Sequence, residues 1–228
     1  SIDGAVIGAN SAAAGTFAAL TGTTGTFSSN VTISTADNTN TLTLTSTDAD
    51  ANSGPNLKLY RNSGTPADND YGGYLLFNAE NDADEDIAFS YVGQQLLDVS
   101  DGSENGRLFF YNMQAGASVN ALDILPTETV FNEGSVDRDF RVEGNGNANM
   151  LFVDAGNDRL GVGTGSPDSL VHISGAGGTA VFTFENPDTG LSTNETIGQI
   201  NFETQDSGGA GVNAYIKAAG ANTSGAAY

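Results

Sequence analysis

The chain of 228 residues contains no cysteine, no tryptophan and a single histidine. Without cysteine it has no disulfides and no thiolate metal ligands, and one histidine per chain rules out a zinc site built from several imidazoles of the same chain. Basic residues are also scarce, since 7 Lys and Arg stand against 28 Asp and Glu and leave a net charge of −21. Nucleic acids and anionic membranes are bound through clustered positive charge, so the composition argues against both as partners.

Long apolar runs and strong helix formers are missing as well. No stretch approaches the ~18 consecutive apolar residues of a membrane-spanning helix. Gly, Asn, Thr, Asp and Ser interrupt the sequence every few residues, a pattern that favours short strands and turns over helices. Leu, Ile, Val and Phe make up about 22% of the chain, close to the ~20% at which chains tend to stay disordered. Because apolar residues nevertheless alternate along many segments, we predict an all-β protein whose core is shared between copies of the chain.

The sequence divides into four predicted regions. Residues 1–34 are expected to form a thin amino-terminal shaft, because Gly-Thr-Phe occurs at 15–17 and again at 25–27. Residues 35–120 are expected to form a first β repeat module, residues 121–178 a hairpin-rich connector, and residues 179–228 a second, incomplete module. Within the connector, the turn residues 144–147 lie between the strand-like segments 140–142 and 151–153 and predict a hairpin. Further strands are predicted at 160–163 and 170–173.

The two modules are defined by an internal repeat. Residues 43–48 align with 183–188 at an offset of 140, whereas 73–77 align with 198–202, and 87–91 with 212–216, at an offset of 125. The difference predicts a 15-residue insertion near residues 55–70 of the first copy. The second copy stops where the counterpart of residues 106–111 begins, so we expect the repeat to continue beyond Tyr228.

Two acidic turns are the candidate cation sites. Asp48 and Asp50 lie in the first, and Asp82, Asp84 and Asp86 lie in the second. The favoured interpretation is that these carboxylates keep the surface solvated and oppose aggregation through strand edges. Calcium binding is a less favoured alternative, because the first turn lacks the closing glutamate of an EF-hand loop. Asp84 and Glu85 could also supply the carboxylate pair of a glycosidase, although a hairpin loop explains them better.

Aromatic residues and the lone histidine complete the candidates. Tyr60, Tyr71 and Tyr74 could bind a host receptor, because exposed tyrosine rings stack on sugars, while core packing is the alternative for Tyr74. His172 alternates with Val171 and Ile173, which favours a packed residue, or one on a trimer axis, over a catalytic triad. We therefore predict no catalytic residues, no cofactor and no resident metal.

Several segments resemble phage structural proteins. The stretch GVGTGSPDSLVHI at 161–173 resembles the G-I-G-T-x-S-P-x-x-x-L-H-I signature of bacteriophage tail fibres. Residues 130–163 resemble a segment frequent in marine phage structural proteins. IDGAVIGANSAAAGTF at 2–17 and the stretch 183–218 resemble further tail-fibre elements, the latter through a G-x-I-x-F strand followed by an acidic turn.

The resemblance implies an elongated, parallel homotrimer built from small β-sandwich or β-prism modules. It also implies a non-enzymatic structural role on the virion, outside the cell. There the fibre would attach to other tail proteins and adsorb to a glycan or protein of the host surface. An intramolecular chaperone, if the gene encodes one, would lie beyond Tyr228. Three alternatives stay open: a phage head fibre or decoration protein, a polysaccharide-degrading tailspike, and a cell-surface adhesin.

Overall fold

The computed structural model describes residues 27–175, 177 and 180–220, which contain strands and no α-helix. The predicted all-β class is therefore confirmed for the described part of the chain. None of its segments forms a helix long and apolar enough to cross a membrane. The strands are β1 (Asp70–Glu80), β2 (Asp86–Asp98), β3 (Asn105–Gln114), β4 (Ala117–Ile124), β5 (Thr129–Phe131), β6 (Phe140–Val142), β7 (Leu151–Asp154), β8 (Arg159–Val162), β9 (Val171–Ile173), β10 (Thr196–Thr204) and β11 (Gly211–Ala219).

The chain divides into two compact units, Ser1–Lys58 and Leu59–Tyr228. The described residues of the first unit, 27–58, contain turns and extended segments but no strand. Residues 43–48, where the alignment at an offset of 140 begins, thus form no strand within one chain, since a strand requires a hydrogen-bonded neighbour. The Gly-Thr-Phe motif at 15–17 and most of that at 25–27 lie outside the described residues.

Strands β1 to β5 form one antiparallel sheet in the order of the sequence. The acidic residues 81–85 connect β1 to β2, which confirms the predicted hairpin loop. In this loop the side-chain oxygen of Asn81 accepts hydrogen bonds from the backbone N–H groups of Ala83 and Glu85, at 2.9 and 3.0 Å. The predicted boundary after residue 120 falls inside β4, because the sheet continues to Phe131.

Strands β6 to β9 form a second sheet. The predicted hairpin is present, with Phe140 of β6 opposite Val153 of β7. The predicted strands that follow are also present: β8 is antiparallel to β7, and β9 returns parallel to β8. Gly163 enables this return, because its φ is +79° and a side chain there would collide with the carbonyl oxygen of Ser174.

Strands β10 and β11 repeat the local geometry of β1 and β2. Asn69 and Asn194, which lie 125 residues apart, have φ values of 67° and 66°. Their backbone N–H groups donate to the carbonyls of Leu96 and Gly220 at 2.6 and 3.0 Å. Both hairpins also carry a register shift after a phenylalanine of the first strand, Phe77 or Phe202. The internal repeat is therefore present in the backbone as well as in the sequence.

The predicted 15-residue insertion, however, is wrong. A Cβ on Gly73 would lie 2.6 Å from the Cβ of Leu59, and a Cβ on Gly198 would lie 2.6 Å from the Cβ of Phe184. Leu59 is thus the counterpart of Phe184 at the same offset of 125, and the segment taken for an insertion is part of the repeat. The alignment at 140 failed because short Thr-rich segments match one another in more than one register.

The predicted alignment of the second strands also needs a correction of one residue. Tyr91 pairs with Leu76, and Tyr215 pairs with Asn201, the counterpart of Leu76. Tyr91 therefore corresponds to Tyr215 rather than to Ile216, because the chain between the paired residues Thr204 and Gly211 is one residue shorter than that between Ala79 and Ile87. The apolar alternation suggested the wrong register, since the bulge interrupts the period of two.

The described residues build very little core. Phe109, with 2% of its surface exposed, is the single buried large hydrophobic residue among them, whereas 29 large apolar or aromatic side chains are exposed. A compact chain normally buries most such residues. The single chain therefore leaves most of its apolar surface available for contacts with something else.

Candidate functional site

The five-stranded sheet has two chemically different faces, and tyrosines dominate one of them. On this tyrosine face, the rings of Tyr71, Tyr74, Tyr91 and Tyr111 surround Phe109 at centroid distances of 5.4 to 6.3 Å. The Tyr91 and Tyr111 rings stack at 5.0 Å, with 10° between their planes. Aromatic pairs in these geometries contribute about 0.5–1.5 kcal/mol beyond area burial, so the cluster stabilises the packing of β1, β2 and β3 against one another.

A charged pair lies beside the rings on the same face. Arg107 donates to Asp123 through Nε at 2.9 Å and through a terminal nitrogen at 2.7 Å, and its guanidinium lies 4.9 Å above the Phe109 ring. Asn120 donates to the other oxygen of Asp123 at 2.8 Å, but its own Oδ1 is buried without a partner. Asp123 is only 2% exposed, so this pair holds β3 against β4 in a poorly solvated setting.

The structure brings together two of the three predicted receptor residues. The Tyr71 and Tyr74 rings lie 6.1 Å apart, and 48% and 39% of their surfaces are exposed. Burial raises the pKa of the Tyr74 phenol, and the neighbouring tyrosines raise it further. Tyr60 lies elsewhere: its hydroxyl donates to Asn62 at 3.3 Å, and it borders a groove with Gly73 and Gln94.

The five predicted cation ligands are all exposed, and Asp48, Asp50 and Asp86 accept hydrogen bonds from nearby amides. Asp50 accepts from the backbone and side chain of Asn52, both at 2.8 Å, which lowers the pKa of the Asp50 carboxyl. In the other turn, Asp86 accepts from Asn78 at 2.8 Å. No three His, Asp or Glu side chains of the described residues, including Asp48, Asp82 and Asp84, are placed together so as to hold a metal ion.

His172 lies on β9 and contacts Asp168. The backbone N–H of Asp168 lies 3.4 Å from Nδ1 of His172, and one of its carboxylate oxygens lies 3.2 Å from the same atom. The nearby Ser169 hydroxyl donates to the carbonyl of Val171 at 3.0 Å rather than to the imidazole. This geometry ties down the turn before β9, and it does not present an activated serine.

The opposite face of the sheet, here called the apolar face, was missed by the sequence analysis. Direct cross-strand partners form one apolar row through all five strands, consisting of Leu75, Val92, Phe110, Leu122 and Phe131. Leu108 and Ile124 form the next row beside it. Alternation along each strand does suggest an apolar side, but the row depends on the register of four strand pairs, which the sequence does not specify.

The apolar face contains a groove that recurs in the second hairpin. In the first sheet, Leu59, Gly73, Leu75, Val92 and Gln94 line it. Their counterparts line the groove beside β10 and β11: Phe184, Gly198, Ile200, Ile216 and Ala218. The apolar face of the repeat is thus a conserved element of the architecture within this chain.

The chain matches no known family model, no curated protein and no solved structure.

Proposed function

We propose that this chain is a non-enzymatic structural protein of a phage virion, in which three copies assemble in parallel into a fibre. In this proposal the fibre extends from the tail, contacts other tail proteins, and adsorbs to a glycan or protein on the host surface. The small β units of the described residues are its modules. The acidic loops keep the assembled fibre solvated.

The observation that carries this proposal is the uncovered apolar face on a chain with almost no core of its own. Eight apolar side chains on this face, and on the equivalent side of the hairpin β10–β11, are exposed by about two-fifths or more in the single chain: Leu75, Phe77, Leu108, Ile124, Phe131, Ile200, Phe202 and Ile216. Burying such a side chain fully contributes about 1.5–3 kcal/mol, so covering the exposed half of all eight contributes roughly 8 kcal/mol per chain. That gain lies within the ~4–15 kcal/mol that association costs, so further contacts along the chain are required for a stable fibre.

The repeat and the sequence resemblance support the same proposal. A fibre needs length without a large globular core, and repeated small units with a shared apolar face meet that need. The resemblance of residues 161–173 and 183–218 to tail-fibre segments is what points to a virion. The head fibre remains an alternative with the same physics and a different attachment point, and the tailspike and the adhesin remain alternatives as well.

Assembly is tested by light scattering on the purified full chain across a concentration series. We expect the mass of three chains at micromolar concentration. A folded, stable monomer would overturn the proposal, because a monomer would leave the apolar face in water. Immunogold labelling of phage particles then tests the location, and gold on heads or on host cells instead of tails would select one of the alternatives.

Enzymatic activity is tested separately by incubating the chain with host polysaccharide. We expect no release of oligosaccharide. Release that disappears in Asp84→Asn or Glu85→Gln would establish a tailspike instead. Asp101→Asn is the matched control, since Asp101 also lies in an exposed turn between two strands of the same sheet.

A further inference from the structure

We propose that the apolar face is the contact surface between copies of the chain, with each hairpin meeting the same hairpin of its neighbours and the tyrosine face directed outward. This inference rests on the proposed assembly. It specifies in addition which face of the five-stranded sheet lies inside that assembly. The occupant of the groove on the apolar face is thus a second copy of this chain rather than an unrelated protein.

The recurrence of the groove favours a second copy. Leu75 and Ile200 occupy the same position in the two repeats, as do Val92 and Ile216. In a parallel symmetric assembly, each element meets its own counterpart, so both grooves are covered by one arrangement. An unrelated partner would need two separate matching surfaces at the same spacing to do the same.

The distribution of charge also favours a second copy of the chain as the occupant of the groove. Two chains that each carry −21 repel one another wherever acidic groups come close. On the strands β1–β5, the register places a single charged residue on the apolar face, Asp70 at the first position of β1, where Arg61 pairs with it at 3.2 Å. The acidic loop between β1 and β2 lies at the end of the hairpin, beyond this face. The apolar face is therefore the side on which like-charged copies can approach closely.

The second hairpin depends more than the five-stranded sheet on having its apolar side covered by another copy of the chain. β10 and β11 form a two-stranded sheet, and an isolated two-stranded hairpin is marginally stable at best in water. Its apolar side carries Ile200, Phe202 and Ile216, whereas Gln199 and Lys217 pair on the other side. That other side also carries Asn201, Glu203, Tyr215 and Val212, so it mixes polar and apolar residues, whereas the paired residues of the apolar side include no charged one. A hairpin with one buried face keeps charge off that face in this way.

Thiol protection tests the orientation of the sheet, because the chain has no native cysteine. Leu75→Cys and Leu76→Cys place the thiol on opposite faces of β1, at positions whose exposure in the single chain is 49% and 55%. Ile200→Cys and Asn201→Cys are the corresponding pair on β10. Maleimide labelling of each native full-length variant is compared with labelling in denaturant, and light scattering gives the mass of the same samples.

We expect the cysteines at 75 and 200 to label roughly tenfold or more slowly than those at 76 and 201. Equal rates, or slower labelling at 76 and 201, in samples of trimeric mass would overturn the inference while leaving the trimer intact. Monomeric mass with equal rates would overturn both the inference and the proposed assembly. Protection of position 75 at monomeric mass would show that another segment of the same chain covers the face, and would also overturn the inference.

Discussion

Gly93 lies at the centre of the tyrosine face, and replacing it with alanine tests whether this cluster holds the sheet together. The added Cβ would lie 2.5 Å from two ring atoms of Phe109 and 2.8 Å from one of Tyr74. Phe109 cannot move aside, because it is 2% exposed and enclosed by the neighbouring rings. Overpacking of this kind costs about 1–3 kcal/mol, so Gly93→Ala should lower the free energy of unfolding by that amount.

Gly106→Ala is the matched control on the adjacent strand. The closest atom to its added Cβ is a backbone oxygen at 3.9 Å. A glycine replaced by alanine without strain stabilises a protein by about 0.4–1 kcal/mol, because the unfolded chain loses freedom. Denaturant unfolding of both variants is followed by tyrosine fluorescence at one fixed protein concentration, since association would make stability depend on concentration. If Gly93→Ala proves as stable as Gly106→Ala, the packing argument is refuted.

Three other changes test separate features of the molecule. Asp123→Asn removes the buried negative charge that neutralises the Arg107 guanidinium and should cost about 3–5 kcal/mol in denaturant unfolding, whereas the exposed Asp101→Asn should change stability by less than about 0.5 kcal/mol. Gly73→Ala should displace the preceding segment and speed trypsin cleavage after Arg61; unchanged cleavage, equal to that of Gly64→Ala, would contradict the contact. Melting temperature should rise with NaCl, because salt screens acidic repulsion over a Debye length of ~8 Å at physiological ionic strength. A rise with calcium alone at matched ionic strength would point instead to a specific site.

The strand content and the hairpins followed from the sequence because they depend on local signals. The turn at 144–147 and the acidic loop at 81–85 each join strands that the alternation of apolar residues had already indicated. The residues that make up each face of the five-stranded sheet could not be predicted from the sequence, because they depend on which residues stand opposite one another in neighbouring strands. Arg107 and Asp123 are 16 residues apart, and nothing local to either residue specifies that they meet across β3 and β4.

The candidate receptor site was predicted only in part, because its residues are brought together by the pairing of the strands and not by the local sequence alone. Tyr71 and Tyr74 are near neighbours in sequence, and a bulge between them brings both rings to the same side of β1. Tyr60 precedes β1 and instead lines a separate groove with Arg61, Gly72 and Leu96. The repeat itself was found from sequence, but its register was resolved only by backbone hydrogen bonds and by two glycines in close contact.

The sequence differences between the hairpins β1–β2 and β10–β11 show which residues the hairpin shape requires and which residues belong to one hairpin only. The positions of Leu75 and Phe77 on the apolar face remain apolar in the second hairpin, as Ile200 and Phe202. The position of Tyr74 on the other face becomes Gln199, although the strands, the bulges and the αL asparagine are retained. A hairpin of this shape therefore forms without a tyrosine at that position, whereas the apolar side is kept in both hairpins, as is the tyrosine at 91 and 215. This contrast supports assigning assembly to the apolar face, and it leaves the exposed Tyr71 and Tyr74 as the candidates for contact with the host.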